Sequence, residues 1–202
     1  AMKLLERLPR ETGRDYALRN IKENIINLEL APGSQISENE LAAEMVEIGK
    51  LSGKRTIAVV TDMDQPLGNA VGNALEVKEA IATLKGESAD DLLELCLTLG
   101  GCVLKAAGMA ETVDAARSML LGTVENGAAL AKLKEFVAAQ GGDPQSVEDV
   151  SLLPSAPVVR QLRAPEGGYI RAVDALGIGM VCLKLGGGRA TKESDVDLSV
   201  SA

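Results

Sequence analysis

The stretch TIAVVTDMDQPLG, residues 56–68, decides the fold class of this chain. Its first half is a short run rich in β-branched residues, which is typical of a buried strand in a parallel sheet. The strand leads into a polar loop, and a helix is predicted from near Asn73 to Leu84. In open α/β folds, ligands bind beyond the carboxyl ends of the strands. The loop at residues 62–66 is therefore the first place to expect a functional site.

Two helices are predicted before this strand. In residues 14–28, apolar or small residues recur every three or four positions, as in an amphipathic helix: Ala17, Ile21, Ile25 and Leu28. Further on, Ser37 and Glu40 have the spacing of a capping box, in which each side chain bonds the other residue's backbone amide. The helix that they open is expected to end at Gly49.

The chain beyond the loop is predicted to be mainly helical. Ser88 and Asp91 are expected to cap a helix that continues to Val103 and is buried nearly all round. Thr112 opens a helix that ends near residues 126–127, and another helix stops at residues 141–142. Prolines then separate two short predicted strands, Val158–Val159 and Tyr169–Val173, from a helix between Asp174 and Leu185. These elements predict a helix-rich α/β fold with a small, mainly parallel sheet.

Composition excludes several classes of function. The 202 residues include no histidine and no tryptophan, so Ser-His-Asp and Cys-His catalysis and imidazole metal sites are excluded. The aromatic residues are Tyr16, Phe136 and Tyr169, which is too few for base stacking along a nucleic acid. The net charge of −8 gives no general attraction to a phosphate backbone.

The cysteines and the N-terminal residues predict a cytoplasmic protein. Cys96, Cys102 and Cys182 form an odd, sparse set, which is typical of a reducing compartment. On one helix Cys96 and Cys102 would be about 9 Å apart, too far for a disulfide, so the cysteines are interpreted as small core residues. Residues 2–5 look like the start of a signal peptide, but charged residues and a proline interrupt it, and no apolar run spans a membrane.

Three polar clusters are candidates for chemistry. Asp62 and Asp64 could form a carboxylate pair for a metal or for acid–base work, or simply be solvated or capping residues. The stretch Gly186–Arg189, with Lys192, could cradle a phosphate, but it lacks the usual spacing and a tight turn is favoured. The third cluster occupies the first turns of a predicted helix, where the helix dipole favours carboxylates in any case: Glu76, Lys78 and Glu79.

The N-terminal part resembles one known family. RDYALRNIKENII (14–26), LELAPGS (28–34) and ISENELA (36–42) look like the start of a GntR-type transcription regulator, in which this stretch begins a winged helix that binds operator DNA. That family continues with a recognition helix rich in Ser, Arg and Thr-Pro, whereas VEIGK (46–50) follows here. Without a helix to enter the major groove, DNA is an unexpected partner, and residues 1–44 are interpreted as an incomplete winged-helix segment that is a helical cap or a remnant.

From Met45 onward the chain resembles a second family, the thymidine and pyrimidine-nucleoside phosphorylases. The matching motifs are MVEIGK (45–50), GKRT (53–56), TDMDQPLG (61–68), GNALEVKEA (72–80), AAQGGDP (138–144) and LGGGRATKE (185–193). The resemblance implies an α domain and an α/β domain that close over the substrates, and the transfer of a pentosyl group from a pyrimidine to phosphate. No counterpart is found for the family's phosphate loop or for its pyrimidine-binding Arg, Ser and Lys.

One site of that family carries over in part. The resemblance implies a potassium ion held by the backbone carbonyls of Leu67 and Ala70 and by the carboxylate of Glu79. Oxygen ligands of this kind suit a hard cation. Because the family's other ligands come from the phosphate-loop region, we expect this half-site to bind weakly or not at all. No catalytic residue is assigned in this chain. The resemblance implies phosphate as the co-substrate.

The two resemblances together predict a chimera or fusion. Its expected parts are a GntR-like segment at residues 1–44, a phosphorylase-like helical and α/β region at 45–155, and a truncated C-terminal α/β region at 156–202. The predicted function is that of a phosphorylase-derived chain which is inactive alone, its family reaction being phosphorolysis of thymidine or uridine. The alternatives are a DNA-binding regulator and a non-catalytic assembly scaffold that forms homo-oligomers.

Overall fold

The computed structural model describes residues 5–26, 37–189, 191 and 193–202 of the chain. The described residues form eight α-helices: α1 Gly13–Ile26, α2 Glu38–Leu51, α3 Ala74–Leu84, α4 Asp90–Ala106, α5 Val113–Glu125, α6 Ala128–Ala139, α7 Gln145–Glu148 and α8 Ala175–Cys182. A 3₁₀ turn, Val150–Leu152, follows α7, and a π-helical turn, Leu183–Gly187, follows α8. The chain divides into two compact units, the first comprising Ala1–Thr61 and Cys102–Met109 and the second comprising Asp62–Gly101 and Ala110–Ala202.

The first unit has a polar core around α1. The ring of Tyr16 is buried, and its hydroxyl donates a hydrogen bond of 2.6 Å to the carbonyl of Leu5. Asn20, also buried, accepts from the amide of Leu5 at 2.8 Å and donates to the carbonyl of Tyr16 at 2.8 Å. Burying these polar groups is tolerable because each has a partner. The helix predicted at residues 14–28 is confirmed as far as Ile26, and Leu28 lies outside the described residues.

Helix α2 begins as predicted and ends later than predicted. The capping box is formed, with Ser37 accepting from the amide of Glu40 and the Glu40 carboxylate accepting from the amide of Ser37. The helix passes through Gly49 to Leu51, and the chain turns at Gly53, where φ is +72°. Gly49 has a different role: a Cβ there would lie 1.9 Å from Oγ1 of Thr56. Glycine at 49 allows residue 56 to pack against the helix.

The predicted parallel sheet is not formed by the residues that the structure describes. Within the described parts of the chain there is no strand, and the β-pairing consists of an isolated antiparallel bridge between Gly72 and Ser201. The predicted strands at residues 56–60, 158–159 and 169–173 have no regular secondary structure and no partner strand. A β-branched run favours extended backbone, but a strand also needs a neighbour to accept its backbone hydrogen bonds. The described region is helix-rich, as expected, without the parallel sheet.

Three helices of the second unit, α3, α5 and α8, begin at the predicted residues. Asn73 precedes α3, Thr112 accepts from the amide of Ala115 at the start of α5, and Asp174 accepts from the amide of Gly177 at the start of α8. Between α4 and α5, Arg117 makes a two-pronged ion pair with Glu94, at 2.6 and 2.8 Å. The guanidinium holds the pKa of Glu94 below its ordinary value.

Helix α4 differs from the prediction in two respects. It begins at Asp90, and the Ser88 hydroxyl donates to the adjacent Ala89 carbonyl instead of capping the helix. The helix is also not buried all round, since Val103 is 66% exposed. The helix has one buried and one exposed face, as an amphipathic helix does. Cys96 is accordingly exposed and not a core residue, whereas Cys182 is buried as predicted; Cys96, Cys102 and Cys182 are all free.

No helix in the described part of the chain is both long and apolar enough to cross a membrane.

Candidate functional site

Glu79 organises the loop that precedes α3. Its side chain reaches back from the helix, and its two carboxylate oxygens accept hydrogen bonds from the amides of Asn69 at 2.7 Å and Ala70 at 3.2 Å. Gly68 has a φ of +69°, and a Cβ there would lie 2.6 Å from Oε2 of Glu79. Glycine therefore serves two needs at position 68, the left-handed backbone and the close approach of the carboxylate.

A second carboxylate holds the same loop. Asp91, in the first turn of α4, accepts a hydrogen bond of 3.1 Å from the amide of Gly68. Sequence reasoning missed this role and assigned Asp91 to a helix cap, because nothing in its spacing points to a loop 23 residues earlier. Three consecutive amides, those of residues 68–70, thus bond to carboxylates from two helices.

The half-site expected from resemblance comprises Leu67, Ala70 and Glu79, and hydrogen bonds use only part of its oxygen acceptors. An ionised carboxylate has about four acceptor positions, and the two loop amides use two of those of Glu79. Within the part of the chain that the structure describes, no hydrogen bond uses the backbone carbonyls of Leu67 or Ala70. The two backbone carbonyls and the carboxylate of Glu79 are oxygen donors of the type that a hard cation takes. No group of three or more acidic or cysteine side chains in the described residues could hold a metal by itself.

The C-terminal residues pair with the other end of this loop. Val71 and Ala202 exchange two backbone hydrogen bonds, at 2.9 and 2.7 Å, on one side of the Gly72–Ser201 bridge, and on its other side the amide of Asn73 donates to the carbonyl of Val200 at 3.4 Å. The amide of Gly72 also bonds to the carboxylate of Glu76 at 2.7 Å. Glu76, a member of the third polar cluster, therefore stabilises the backbone of the loop. Lys78, from the same cluster, donates a hydrogen bond of 3.1 Å to the hydroxyl of Ser155.

The glycine-rich stretch near the C-terminus forms a turn. Gly186 has a φ of +100°, and its carbonyl accepts from the amide of Asp197 at 2.9 Å. Asn73 donates from its side chain to the carbonyl of Gly187 at 2.7 Å. The hydroxyl and the amide of Ser199 hold the pKa of Asp197 below its ordinary value, so a negative charge lies beside the turn. This geometry favours the tight-turn interpretation; Lys192 lies outside the described residues.

The Asp62 and Asp64 pair has a local structural role. Asp62 accepts from the amide of Asp64 at 2.8 Å, which is an Asx turn, and both residues are exposed. Among the hydrogen bonds of the described residues, none joins Asp62 or Asp64 to Glu79 or Asp91. The solvated or capping interpretation is thus the one that the geometry favours.

An open cleft of about 800 Å³ lies against the Glu79 loop. It is mainly apolar, with polar groups supplied by the loop and by the N-terminal turn of α4. The lining residues include Gly68, Asn69, Asp90, Asp91, Ile178 and Val181. This cleft and the loop beside it form the candidate functional site.

Comparison with known proteins points to one enzyme class. Residues 34–130 match the model of the glycosyl transferase family, a/b domain, and residues 169–200 match that of the pyrimidine nucleoside phosphorylase C-terminal domain. The chain resembles pyrimidine-nucleoside phosphorylases. It is 50% identical over 160 residues to that enzyme from Geobacillus stearothermophilus and 51% identical over 161 residues to that from Bacillus subtilis (strain 168).

The similarity covers much of this chain and a smaller part of its relatives. The matches take in 79% and 80% of the chain, which spans 37% of the length of either enzyme. Glu79 and Asp91 lie in the region that matches the a/b-domain model, and the glycine turn lies in the region that matches the C-terminal-domain model. The hydrogen bond between Asn73 and Gly187 joins these two regions.

Proposed function

We propose that this chain provides the cation-binding loop and the adjoining cleft of a pyrimidine-nucleoside phosphorylase. The observation that supports this most directly is the loop at residues 67–70, which Glu79 holds while the carbonyls of Leu67 and Ala70 stay available. This loop falls in a region that matches the a/b-domain family model, in a chain about half identical to enzymes of that name.

The reaction proposed for the complete enzyme is phosphorolysis of a pyrimidine nucleoside. A phosphate oxygen forms a bond to the anomeric carbon, the bond from that carbon to the pyrimidine nitrogen breaks, and the base leaves with the electron pair and takes up a proton. This chain's own part is to fix a weakly held potassium ion through Leu67, Ala70 and Glu79. Such a fixed cation supplies positive charge next to a polyanionic substrate.

We further propose that the 202-residue chain has no phosphorolytic activity by itself. No residues in it correspond to the family's phosphate loop or to the side chains that hold the pyrimidine. Holding two reactants in line supplies much of the rate in a displacement of this kind. With one side of the site unformed, the cleft beside Glu79 cannot orient both substrates.

The test has two measurements. The purified, folded chain is incubated with thymidine or uridine, phosphate and potassium, and release of free base is followed; we expect none. In parallel, thermal unfolding is compared in potassium and tetramethylammonium chloride, because a cation that binds the folded state raises the midpoint. We expect a rise in the parent chain and in Glu87→Ala, an exposed control, and none in Glu79→Ala. Turnover that Glu79→Ala abolishes, or no effect of potassium on the parent, would contradict the proposal.

The DNA-binding alternative remains a prediction with less support. In the first unit, Arg19 bonds to Glu11 and to the carbonyl of Glu6, and Arg7 bonds to the carbonyl of Glu11. These guanidinium groups are engaged within the unit and are not free for phosphate contacts. Salt-dependent, sequence-selective anisotropy changes with duplex DNA would support the alternative, whereas flat anisotropy at low salt would exclude it.

A further inference from the structure

The peptide unit between Leu67 and Gly68 is held by a residue outside the half-site. The amide of Gly68 donates a hydrogen bond of 3.1 Å to Oδ2 of Asp91, in the first turn of α4. This peptide is trans, so its N–H and its C=O point in opposite directions. Asp91 therefore fixes the direction of the Leu67 carbonyl as well as that of the Gly68 amide, and this carbonyl points away from Asp91.

The carbonyl of Ala70 is fixed in a comparable way. The N–H of its peptide unit belongs to Val71 and donates to the carbonyl of Ala202 at 2.9 Å. Both carbonyls of the half-site thus lie on peptide units whose N–H groups are engaged, while their oxygens accept no hydrogen bond within the described residues. Groups that orient the ligands of a metal without binding it are a regular part of metal sites.

Glu79 does not orient the carbonyl of Leu67. It accepts from the amides of Asn69 and Ala70, whose peptide units carry the carbonyls of residues 68 and 69. The peptide unit of Leu67 is left to Asp91. In the described part of the chain, the two carboxylates therefore hold different peptide units of one loop.

Both oxygens of Asp91 are occupied by backbone amides. Oδ2 accepts from Gly68, and Oδ1 accepts from Leu92 at 2.8 Å. This arrangement suits a residue that holds backbone better than one that binds an ion directly.

Asp90 provides a matched contrast in the same helical turn. It is exposed and lines the same cleft as Asp91, and within the described residues its carboxylate makes no hydrogen bond. The two aspartates carry the same charge at neighbouring positions, so they attract a cation through space to a similar extent. What distinguishes Asp91 from Asp90 is its bond to the loop.

We propose that Asp91 is a positioning residue for the cation-binding loop: it holds the Leu67–Gly68 peptide unit so that the carbonyl of Leu67 is presented to the potassium ion. This inference rests on the proposed function for the ion. It goes beyond that function by assigning a role to a residue that does not bind the ion, and it makes α4 as well as α3 part of the site.

The first measurement is amide hydrogen exchange of the full chain without potassium. Asp91→Asn has one acceptor oxygen, which we expect to stay with the nearer amide of Leu92, so exchange at Gly68 should accelerate about fivefold. Asp91→Ala, which has no acceptor, should do at least as much, and Asp90→Asn should change nothing. Unaltered far-UV circular dichroism will show that α4 is intact. Unchanged exchange at Gly68 in both Asp91 variants would overturn the proposal.

The second measurement observes the Leu67 carbonyl itself. Carbonyl-¹³C leucine with ¹⁵N glycine restricts the spectrum to Leu-Gly peptide units, and the signal that Leu67→Ile removes belongs to residues 67–68. We expect potassium chloride, in exchange for tetramethylammonium chloride, to shift this signal in the parent chain. The potassium concentration at half the shift should rise about tenfold in Asp91→Asn.

The control variant separates orientation from charge. Asp90→Asn loses the same charge as Asp91→Asn, and its half-shift concentration should stay within about twofold of the parent value. An equal rise in the two variants would mean that Asp91 acts through its charge alone, which would overturn the proposal.

The two measurements also distinguish this proposal from the proposed function. A Leu67 signal that ignores potassium in the parent chain would contradict the proposed function, and faster exchange at Gly68 in the Asp91 variants would then show that Asp91 holds the peptide unit with no ion to receive the carbonyl. A parent that responds to potassium, with Asp91 variants that respond at the same concentration, would give the reverse result: the proposed function stands and the role of Asp91 is wrong.

Discussion

The side-chain amide of Asn73 donates a hydrogen bond of 2.7 Å to the backbone carbonyl of Gly187, which lies 114 residues later in the chain. A longer contact of 3.4 Å runs from the same amide to the carbonyl of Asp197. Asn73 thereby ties the start of α3 to the glycine turn and to the C-terminal residues. The backbone amides of Asn73 and Ala74 bond to the carbonyls of Val200 and Leu198 as well, so the side chain of Asn73 is one of three donors that anchor the start of α3.

Replacing Asn73 should loosen that anchor. In Asn73→Ala the carbonyl of Gly187 loses its donor, so we expect the free energy of unfolding to fall by about 1 to 2 kcal/mol. Urea unfolding followed by far-UV circular dichroism measures the change. Asn69→Ala is the control, because Asn69 uses its backbone amide and not its side chain in the loop contact. An equal loss of unfolding free energy in both variants would show that the side-chain hydrogen bond of Asn73 does not stabilise the fold.

Removing the charge of Glu79 should open the loop at residues 68–70. Glu79→Gln keeps the shape of the side chain but replaces one acceptor oxygen by a donor that faces the amides of Asn69 and Ala70. We expect hydrogen exchange at these two amides to accelerate about tenfold, since hydrogen bonds to charged groups are worth more than neutral ones. Exchange unchanged from the parent would contradict the role assigned to Glu79. Glu87→Gln, on an exposed residue, should leave the loop as it is.

Two helical glycines should respond to alanine in opposite directions. At Gly49 a Cβ would lie 1.9 Å from Oγ1 of Thr56, so Gly49→Ala should destabilise the first unit by about 1 to 3 kcal/mol. At Gly122 nothing lies within 4 Å, and Gly122→Ala should stabilise α5 by about 0.5 to 1 kcal/mol. Urea unfolding gives both values. Thr56→Gly should restore part of the loss in Gly49→Ala; if it does not, the clash with Thr56 is not the cause.

The helix caps could be predicted from sequence because they are local. Ser37 with Glu40, Thr112 and Asp174 each bond to an amide within three residues, so a short window contains the whole interaction. The strands could not be predicted in this way. Residues 56–60 have the right composition, but whether they pair depends on a neighbour that no local pattern specifies.

The contacts of the candidate site can be divided in the same way, into local ones and ones between residues far apart in the sequence. Glu79 and its loop were expected through resemblance, and the contact from Glu79 to Ala70 spans nine residues. The contribution of Asp91 was missed because it joins a helix start to a loop far back in the chain, and the anchor from Asn73 to Gly187 is longer still. Contacts of this length depend on how helices pack, which periodicity does not encode.

The stability of the first unit should depend on pH through the ion pair between Glu11 and Arg19. Glu11 accepts from Arg19 at 2.7 and 2.9 Å, and this guanidinium lowers the pKa of Glu11 from 4.5 to about 2. Because the folded-state pKa is below the unfolded one, the ionised pair stabilises the fold fully above pH 4.5, and the contribution is lost as the pH falls towards 2. Glu11→Gln removes the titrating group and should flatten this part of the pH profile.

Tyr16 offers a direct probe of that unit. Its ring is 1% exposed and lies 5.7 Å from the guanidinium carbon of Arg19, whereas Tyr169 is fully exposed. In a Tyr169→Phe background, near-UV circular dichroism in the tyrosine band therefore reports on the packing around α1. Urea midpoints from this signal should decline between pH 4.5 and 2 more steeply with Glu11 than with Gln at that position. Parallel profiles for the two proteins would mean that the pair with Arg19 does not stabilise the unit.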